Sequence, residues 1–299
     1  MMGEDKKNFL AIDIGGTFIK TALVDEQGLV TDRQEIENKF ADKESFLEGL
    51  TQIIEQNVHQ ISGVGLSIPG VVDVKRQVIV SSARLAYLEN VEFLDELAGK
   101  YQVPFVIEND GNCAALAEKR CGNLKGVANG AMIVLGTGLG AAVFVQDQLV
   151  HGAHFVAGEP SFMVLDDSAT GRAKTAADLS VTEMVKQISL HLQLPEPYTG
   201  QAVFKQIQEG EPFAVGEFNH FCRHVATIIY NIQTILDLEQ VVIGGGISRQ
   251  PLLIEKINES LLEYFESDPL AHRTMTMPLV VAARLYNDAN LVGAVVPLI

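Results

Sequence analysis

Three glycine clusters, each directly behind a strand-length apolar run, constrain this chain more than any other feature. Phe9–Ile14 runs into Gly15-Gly16-Thr17, Met132-Ile133-Val134-Leu135 into Gly136-Thr137-Gly138-Leu139-Gly140, and Val241-Val242-Ile243 into Gly244-Gly245-Gly246. A second strand is expected behind each of the first two turns, at Ile19–Val24 and Ala141–Val145. Asp147-Gln148-Leu149-Val150 then echoes Glu26-Gln27-Gly28-Leu29-Val30. The repeat distance of about 120 residues points to an internal duplication and two similar α/β halves.

Glycine lets backbone N–H groups approach phosphate oxygens closely. Thr17 and Thr137 add a hydroxyl to the first two clusters. A single cluster reads equally well as a tight turn that binds nothing; three at strand ends in a duplicated chain favour a phosphate-bearing ligand. The spacing matches neither a P-loop nor a Rossmann G-x-G-x-x-G.

The rest of the chain fits a globular α/β protein. Apolar residues make up 47% of the 299 and charged residues 20%, enough for a sizeable core. A third strand is expected at Val30–Ile36 and buried strands at Val64–Ile68, Phe105–Ile107 and Leu279–Ala282. Helices are expected over Phe46–Val58, capped by Asp42 or Ser45, and over Leu94–Tyr101, Asn112–Lys119, Val181–His191, Leu252–Phe265 and Asn290–Val296. A longer one places Phe221, Val225, Ile228, Ile232 and Ile235 on one face. The stretch between Lys125 and Asp147 is free of charge and nearly long enough to span a membrane. Its glycines at alternate positions mark a hairpin of buried strands instead. With 22 basic and 38 acidic residues the net charge is −16, which argues against a nucleic-acid partner. Three scattered cysteines, Cys113, Cys121 and Cys222, form neither a disulfide framework nor a thiolate zinc site, and a polar start shows no export signal. A cytoplasmic protein without a membrane partner is expected.

Several polar residues stand where chemistry is possible. Asp13 interrupts an apolar run just before a glycine turn. It either caps that turn or faces hydrated Mg²⁺, which would offset the cost of burying a carboxylate. Glu108-Asn109-Asp110-Gly111-Asn112 lies between a strand and a helix, where Asn or Asp ordinarily caps the helix. It also suits a base, Asp110, beside an amide, Asn109, that fixes a polar ligand. His151 and His154 lack a third zinc ligand at a fitting spacing. Glu159, between Gly158 and Pro160, is the better ligand-binding residue. Lys20 either reaches a phosphate or lies on the surface.

In combination these motifs resemble the ROK family of sugar kinases and sugar-responsive repressors, in the actin/hexokinase-like superfamily, almost from end to end. Asp13–Thr17 resembles its first phosphate loop, Ile68-Pro69-Gly70-Val71-Val72-Asp73 its sugar-side loop and Glu108–Asn112 its catalytic segment. Gly136–Gly140 resembles the second phosphate loop, Ala157-Gly158-Glu159 the sugar-binding glutamate and Gly244-Gly245-Gly246-Ile247-Ser248 the adenosine loop. Asp288–Ala294 resembles the C-terminal helix. The resemblance implies two similar actin-like (ribonuclease H-like) α/β domains with a nucleotide and sugar cleft between them. The expected domains are residues 1–112 with 285–299, and 113–284. The chain departs from the family after its glutamate. The usual Gly-His is missing, Met163 stands in the His place, and Asp166–Leu179 carries neither cysteine nor a second sugar-binding Glu. The chain therefore resembles the zinc-free branch, with β-glucoside, N-acetylmannosamine and some glucose kinases. A DNA-binding domain ahead of the first strand is not expected.

The resemblance implies an ATP-dependent kinase acting on a sugar 6-hydroxyl, with Asp110 as base and Asn109, Glu159 and Gly70 on the sugar. Asp13, Gly15, Gly16, Thr17, Lys20, Gly136, Thr137, Gly138, Gly140, Gly244, Gly245 and Gly246 would hold ATP, with Asp13 meeting Mg²⁺ through water. No zinc is expected, and a homodimer is. Room left by Met163 and by Ala173, Ala176 and Ala177 ranks β-glucosides such as cellobiose first, N-acetylmannosamine second and glucose third. Other classes are a sugar-sensing protein without turnover, which intact Asp110 and both glycine loops oppose, and an actin-fold ATPase acting on an acid or a protein.

Overall fold

A computed structural model describes residues 7–166 and 174–299. The chain forms two compact units: Met1–Lys125, His151–Ala157 and Asn287–Ile299 in the first, Gly126–Val150 and Gly158–Tyr286 in the second. The boundary expected at 112 falls within a helix, Asp110–Cys121, that stays whole in the first unit. The segment His151–Ala157, expected in the second half, also belongs to the first unit.

The first unit opens with β1 (Asn8–Ile14), β2 (Phe18–Asp25) and β3 (Val30–Glu37), an antiparallel meander. Both faces of β1 are covered, so Phe9 to Ile12 read as an unbroken apolar run. By contrast β3 exposes Thr31 through Glu37, a polar edge that discourages further pairing. Helix α1 (Lys43–Glu55) starts where Asp42 accepts from Ser45 N at 2.8 Å, and it buries Phe46, Leu50, Ile53 and Ile54. Strand β4 (Val64–Ile68) runs parallel to β1. A short hairpin, β5 (Val71–Asp73) and β6 (Val78–Ser81), turns on the Asp73 carboxylate, which accepts from Lys75 N and Arg76 N. Helix α2 (Leu94–Tyr101) leads into β7 (Phe105–Asn109), parallel to β4, and α3 (Asp110–Cys121) follows at once.

In the second unit, β8 (Gly130–Leu135), β9 (Leu139–Val145) and β10 (Gln148–Leu149) repeat the meander. The charge-free stretch is thus the β8–β9 hairpin, and among the described residues no helix is long and apolar enough to cross a membrane. Then come β11 (Val164–Asp166), β12 (Lys174–Thr175), α4 (Val181–His191), α5 (Gly200–Gln208) and α6 (Pro212–Leu236). Strand β13 (Gln240–Gly244), α7 (Pro251–Ser267), α8 (Pro269–Thr274) and β14 (Leu279–Ala282) complete it. The sheet orders, β3-β2-β1-β4-β7 and β10-β9-β8-β13-β14, are the same pattern twice, antiparallel on one side and parallel on the other. The duplication is real at the level of topology, although β10 has shrunk to two residues. One expectation fails at the end of α6: Ile235 is 76% exposed, because the helix stops at Leu236 with Asp237 in the left-handed region.

The chain ends with α9 (Ala289–Val295) back in the first unit. This helix lies so close to α3 and β4 that a side chain on Gly293 would strike the Cys113 carbonyl, and one on Gly65 the Ala294 carbonyl.

Candidate active site

In the first unit, β1 and β2 meet in the turn Gly15–Thr17. Gly15 N donates to Phe18 O at 2.9 Å, and Asn38 braces the turn through Nδ2 to Gly15 O and N to Thr17 O, both 2.8 Å. Gly16 and Thr17 are exposed, and their N–H groups meet no acceptor among the described residues. Asp13 does not cap this turn. Its Oδ1 accepts from Ser67 Oγ at 2.7 Å, on the neighbouring strand β4, and from Asn290 Nδ2 at 3.1 Å, on α9. Two donors on one oxygen fix the carboxylate, and a hard oxygen donor suits Mg²⁺ and its water shell. Lys20 stands opposite Asp13 in the β1–β2 register and is half-buried. Ser67 is marked by no motif and Asn290 only as part of the Asp288–Ala294 helix; strand pairing and the returning helix bring them to Asp13.

The segment Glu108–Asn112 both caps a helix and presents a carboxylate. Asn109 Oδ1 accepts from Asn112 N at 3.0 Å, while its Nδ2 donates to Gly70 O at 2.9 Å and to Asp110 Oδ1 at 3.1 Å. Asp110 Oδ1 also accepts from Gly111 N at 2.8 Å. Glu108 is buried, with Oε1 accepting from Asn109 N at 2.8 Å and Asn112 Nδ2 at 2.9 Å. Its Oε2 lies 2.8 Å from His151 Nε2. That hydrogen bond and charge hold the His151 imidazole above its ordinary pKa, against the opposing effect of burial. Gly70, with φ of 113° and the Ser81 carbonyl where a side chain would go, serves here as the acceptor that aims Asn109.

In the second unit, Gly136 N donates to Gly138 O at 3.0 Å and Val181 N to Gly136 O at 2.9 Å, which fixes the turn at the head of α4. Side chains built on Gly136, Gly138 or Gly140 would meet nothing within 4 Å, and none of the three has positive φ. The chain itself does not demand glycine there, and the turn stands in open space. Gly244 and Gly245 differ. A side chain on the first would strike Met132, and the second has φ of 88° and would strike the Leu135 carbonyl. Packing of β13 on β8 accounts for both, while Gly246 is open. Beyond it, a concavity of about 590 Å³ is lined by Ile207, Gln208, Phe218, Gln250, Pro251 and Lys256 among others, residues no motif marks.

Glu159 is exposed and follows Gly158, whose carbonyl accepts from Ala141 N at 3.0 Å. Partial desolvation pushes its carboxyl above the usual carboxylate range, offset by a 3.3 Å hydrogen bond from Ser161 Oγ. Phe162, three residues on, is 78% exposed. Met163 packs against the core of the second unit, its carbonyl accepting from Ala176 N at 2.9 Å. Ala176 is fully buried and so opens no room; Ala177 is exposed, and Ala173 lies outside the described residues. Among the described residues no three His, Cys, Asp or Glu side chains are grouped to hold a metal ion.

A duplicated α/β fold with a glycine turn at the head of each meander places the protein in the actin-like/hexokinase class. The family model of the ROK family matches residues 9–297, and the chain belongs to that family. A beta-glucoside kinase from Listeria innocua is 27% identical over 289 residues, 95% of each chain. One from Klebsiella pneumoniae is 28% identical over 291 residues, 95% of this chain and 94% of that one. Further relatives carry the names glucokinase and N-acetylmannosamine kinase. A ROK family protein from Streptococcus pneumoniae TIGR4, solved in complex with sucrose, superposes with a TM-score of 0.86 at 27% identity over 97% of both chains. The protein is an ATP-dependent carbohydrate kinase.

Proposed function

We propose that this kinase phosphorylates the 6-hydroxyl of a β-glucoside, with cellobiose as the best simple substrate. The observation that carries the choice of sugar is the run after Glu159. The half-buried Met163 side chain packs against the core and carries no hydrogen-bonding group like that of a His, while the Phe162 ring stands 78% exposed. An aromatic face beside a sugar-binding carboxylate suits a second sugar ring, whose C–H face contributes about 25 cal/mol per Å² buried. Unsubstituted glucose would leave that ring uncovered. N-Acetylmannosamine, whose acetamido group offers a smaller apolar surface, ranks second and glucose third.

Asp110 accepts the proton of O6 as that oxygen attacks; Asn109, held by Gly70, is a sugar-binding residue of the first unit and Glu159 one of the second. The O6–Pγ bond forms, the bridging bond to the β-phosphate breaks, and ADP leaves with the electron pair. The N–H groups of Gly16 and Thr17, the Thr17 hydroxyl and Lys20 hold phosphate on the first unit. Gly136, Thr137, Gly138 and Gly140 do so on the second. Gly246 and the concavity beside Gln250 and Pro251 receive adenosine, with Gly244 and Gly245 shaping that loop from beneath. Asp13, fixed by Ser67 and Asn290, would hold Mg²⁺ through water, and that ion would supply neutralisation of phosphate charge.

A coupled ADP-release assay across cellobiose, N-acetylmannosamine and glucose tests the ranking. A kcat/KM for glucose tenfold above both others overturns it. Phe162→Ala should raise the KM for cellobiose several-fold and leave that for glucose within twofold.

A further inference from the structure

Arg84 is absorbed by no motif. It lies in the first unit between β6 and the turn Ala86–Leu88, and its guanidinium rests on Gly16: a side chain there would run into Nη1, Cζ and Nε. Two residues away, Ser82 packs against Gly70, whose carbonyl holds Asn109 Nδ2 at 2.9 Å, and Asn109 reaches Asp110 at 3.1 Å. Arg84 therefore stands between the Gly15–Thr17 turn and the loop that positions Asp110. It is exposed, and among the described residues it has neither hydrogen bond nor ion pair. What points to an anion is the position: a guanidinium with its donors unspent lies against the Gly16 backbone of a glycine turn.

We propose that Arg84 is a further catalytic residue, binding the γ-phosphate of ATP at the Gly15–Thr17 turn and following it to the sugar. This rests on the kinase reading above. As the bond from Pγ to the bridging oxygen breaks and the bond to O6 forms, charge spreads over three phosphoryl oxygens. A planar fork of N–H donors can hold two of these oxygens at once, whereas an ammonium holds one as a point charge. The guanidinium stays protonated throughout, and the hydroxyl proton goes to Asp110.

The test compares ADP with the non-hydrolysable analogue AMPPNP, each with Mg²⁺, on wild type, Arg84→Lys and Arg84→Ala by calorimetry, beside kcat and KM for cellobiose. Arg84→Ala should lose about 10²–10³ in kcat, within reach of what a phosphate-clamping arginine supplies. Its AMPPNP affinity should fall about tenfold while ADP stays within twofold. Free guanidinium ion should restore part of the rate to Arg84→Ala, and Arg84→Lys should fall between. A purely structural arginine would weaken both nucleotides alike and show no rescue. Equal losses for ADP and AMPPNP, an unchanged kcat, or a change confined to the sugar KM overturns the proposal. If wild type turns over no sugar at all, the kinase reading fails instead, and the ADP–AMPPNP comparison still decides where Arg84 binds.

Discussion

One oxygen of the Asp110 carboxylate accepts from Gly111 N and from Asn109, and in the proposed mechanism its charge takes the proton of O6. Asp110→Asn keeps an oxygen for Gly111 N and removes the charge. The expected result is a kcat loss of about 10²–10⁴ with unchanged thermal unfolding; a rate within a few-fold of wild type refutes the role. Behind it, the Glu108–His151 pair gives a dependence with a definite sign. The folded pKa of His151 is raised above the unfolded value of about 6.5. The stabilisation is therefore complete below that pH and fades as pH rises through the raised value. His151→Gln should lower Tm more at pH 5.5 than at pH 9. An equal loss at both would show that shape, not charge, is what His151 supplies.

Glycines differ in whether the fold around them leaves room for a side chain. On α9, Gly293 faces the α3 backbone, which cannot move aside as a side chain would. Gly293→Ala should cost about 1–3 kcal/mol, read as a lower urea midpoint. Gly138→Ala meets nothing within 4 Å, so its midpoint should hold within about 0.5 kcal/mol while ATP binding weakens. The sequence could not sort the two kinds, since a glycine looks the same whether a carbonyl or a ligand comes near it. What it did reveal were elements with local causes. The apolar runs of β1, β4 and β8, the Asp42 cap and the strand-to-helix switch at Asn109 all stand where the pattern put them. Ser67, Arg84, the concavity beside Gln250 and the contact of Asn290 with Asp13 were illegible for the opposite reason. Each acquires its meaning from strands or helices distant in the chain. The β5–β6 hairpin was missed because strands this short leave too little pattern to detect.

On the scale of the whole molecule, the sequence leads us to expect activity without zinc. Its three cysteines are free; Cys113 and Cys222 are buried, and burial pushes their thiols up, that of Cys222 to about 12. A neutral thiol is a poor ligand, since zinc binds the thiolate. His151 is engaged by Glu108. Activity should survive prolonged chelation once Mg²⁺ is returned, and stoichiometric zinc by elemental analysis would contradict this. The path of the chain carries one more consequence. The segment Asn287–Ile299 belongs to the first unit, yet it follows every residue of the second. A ribosome releases this polypeptide with β1, β4 and α3 early and α9 at the end. Until then the gap against Gly65 and Cys113 is unfilled, and Asp13 waits for the amide of Asn290. The first unit thus gains α9, and Asp13 its Asn290 partner, only after the second unit has been made.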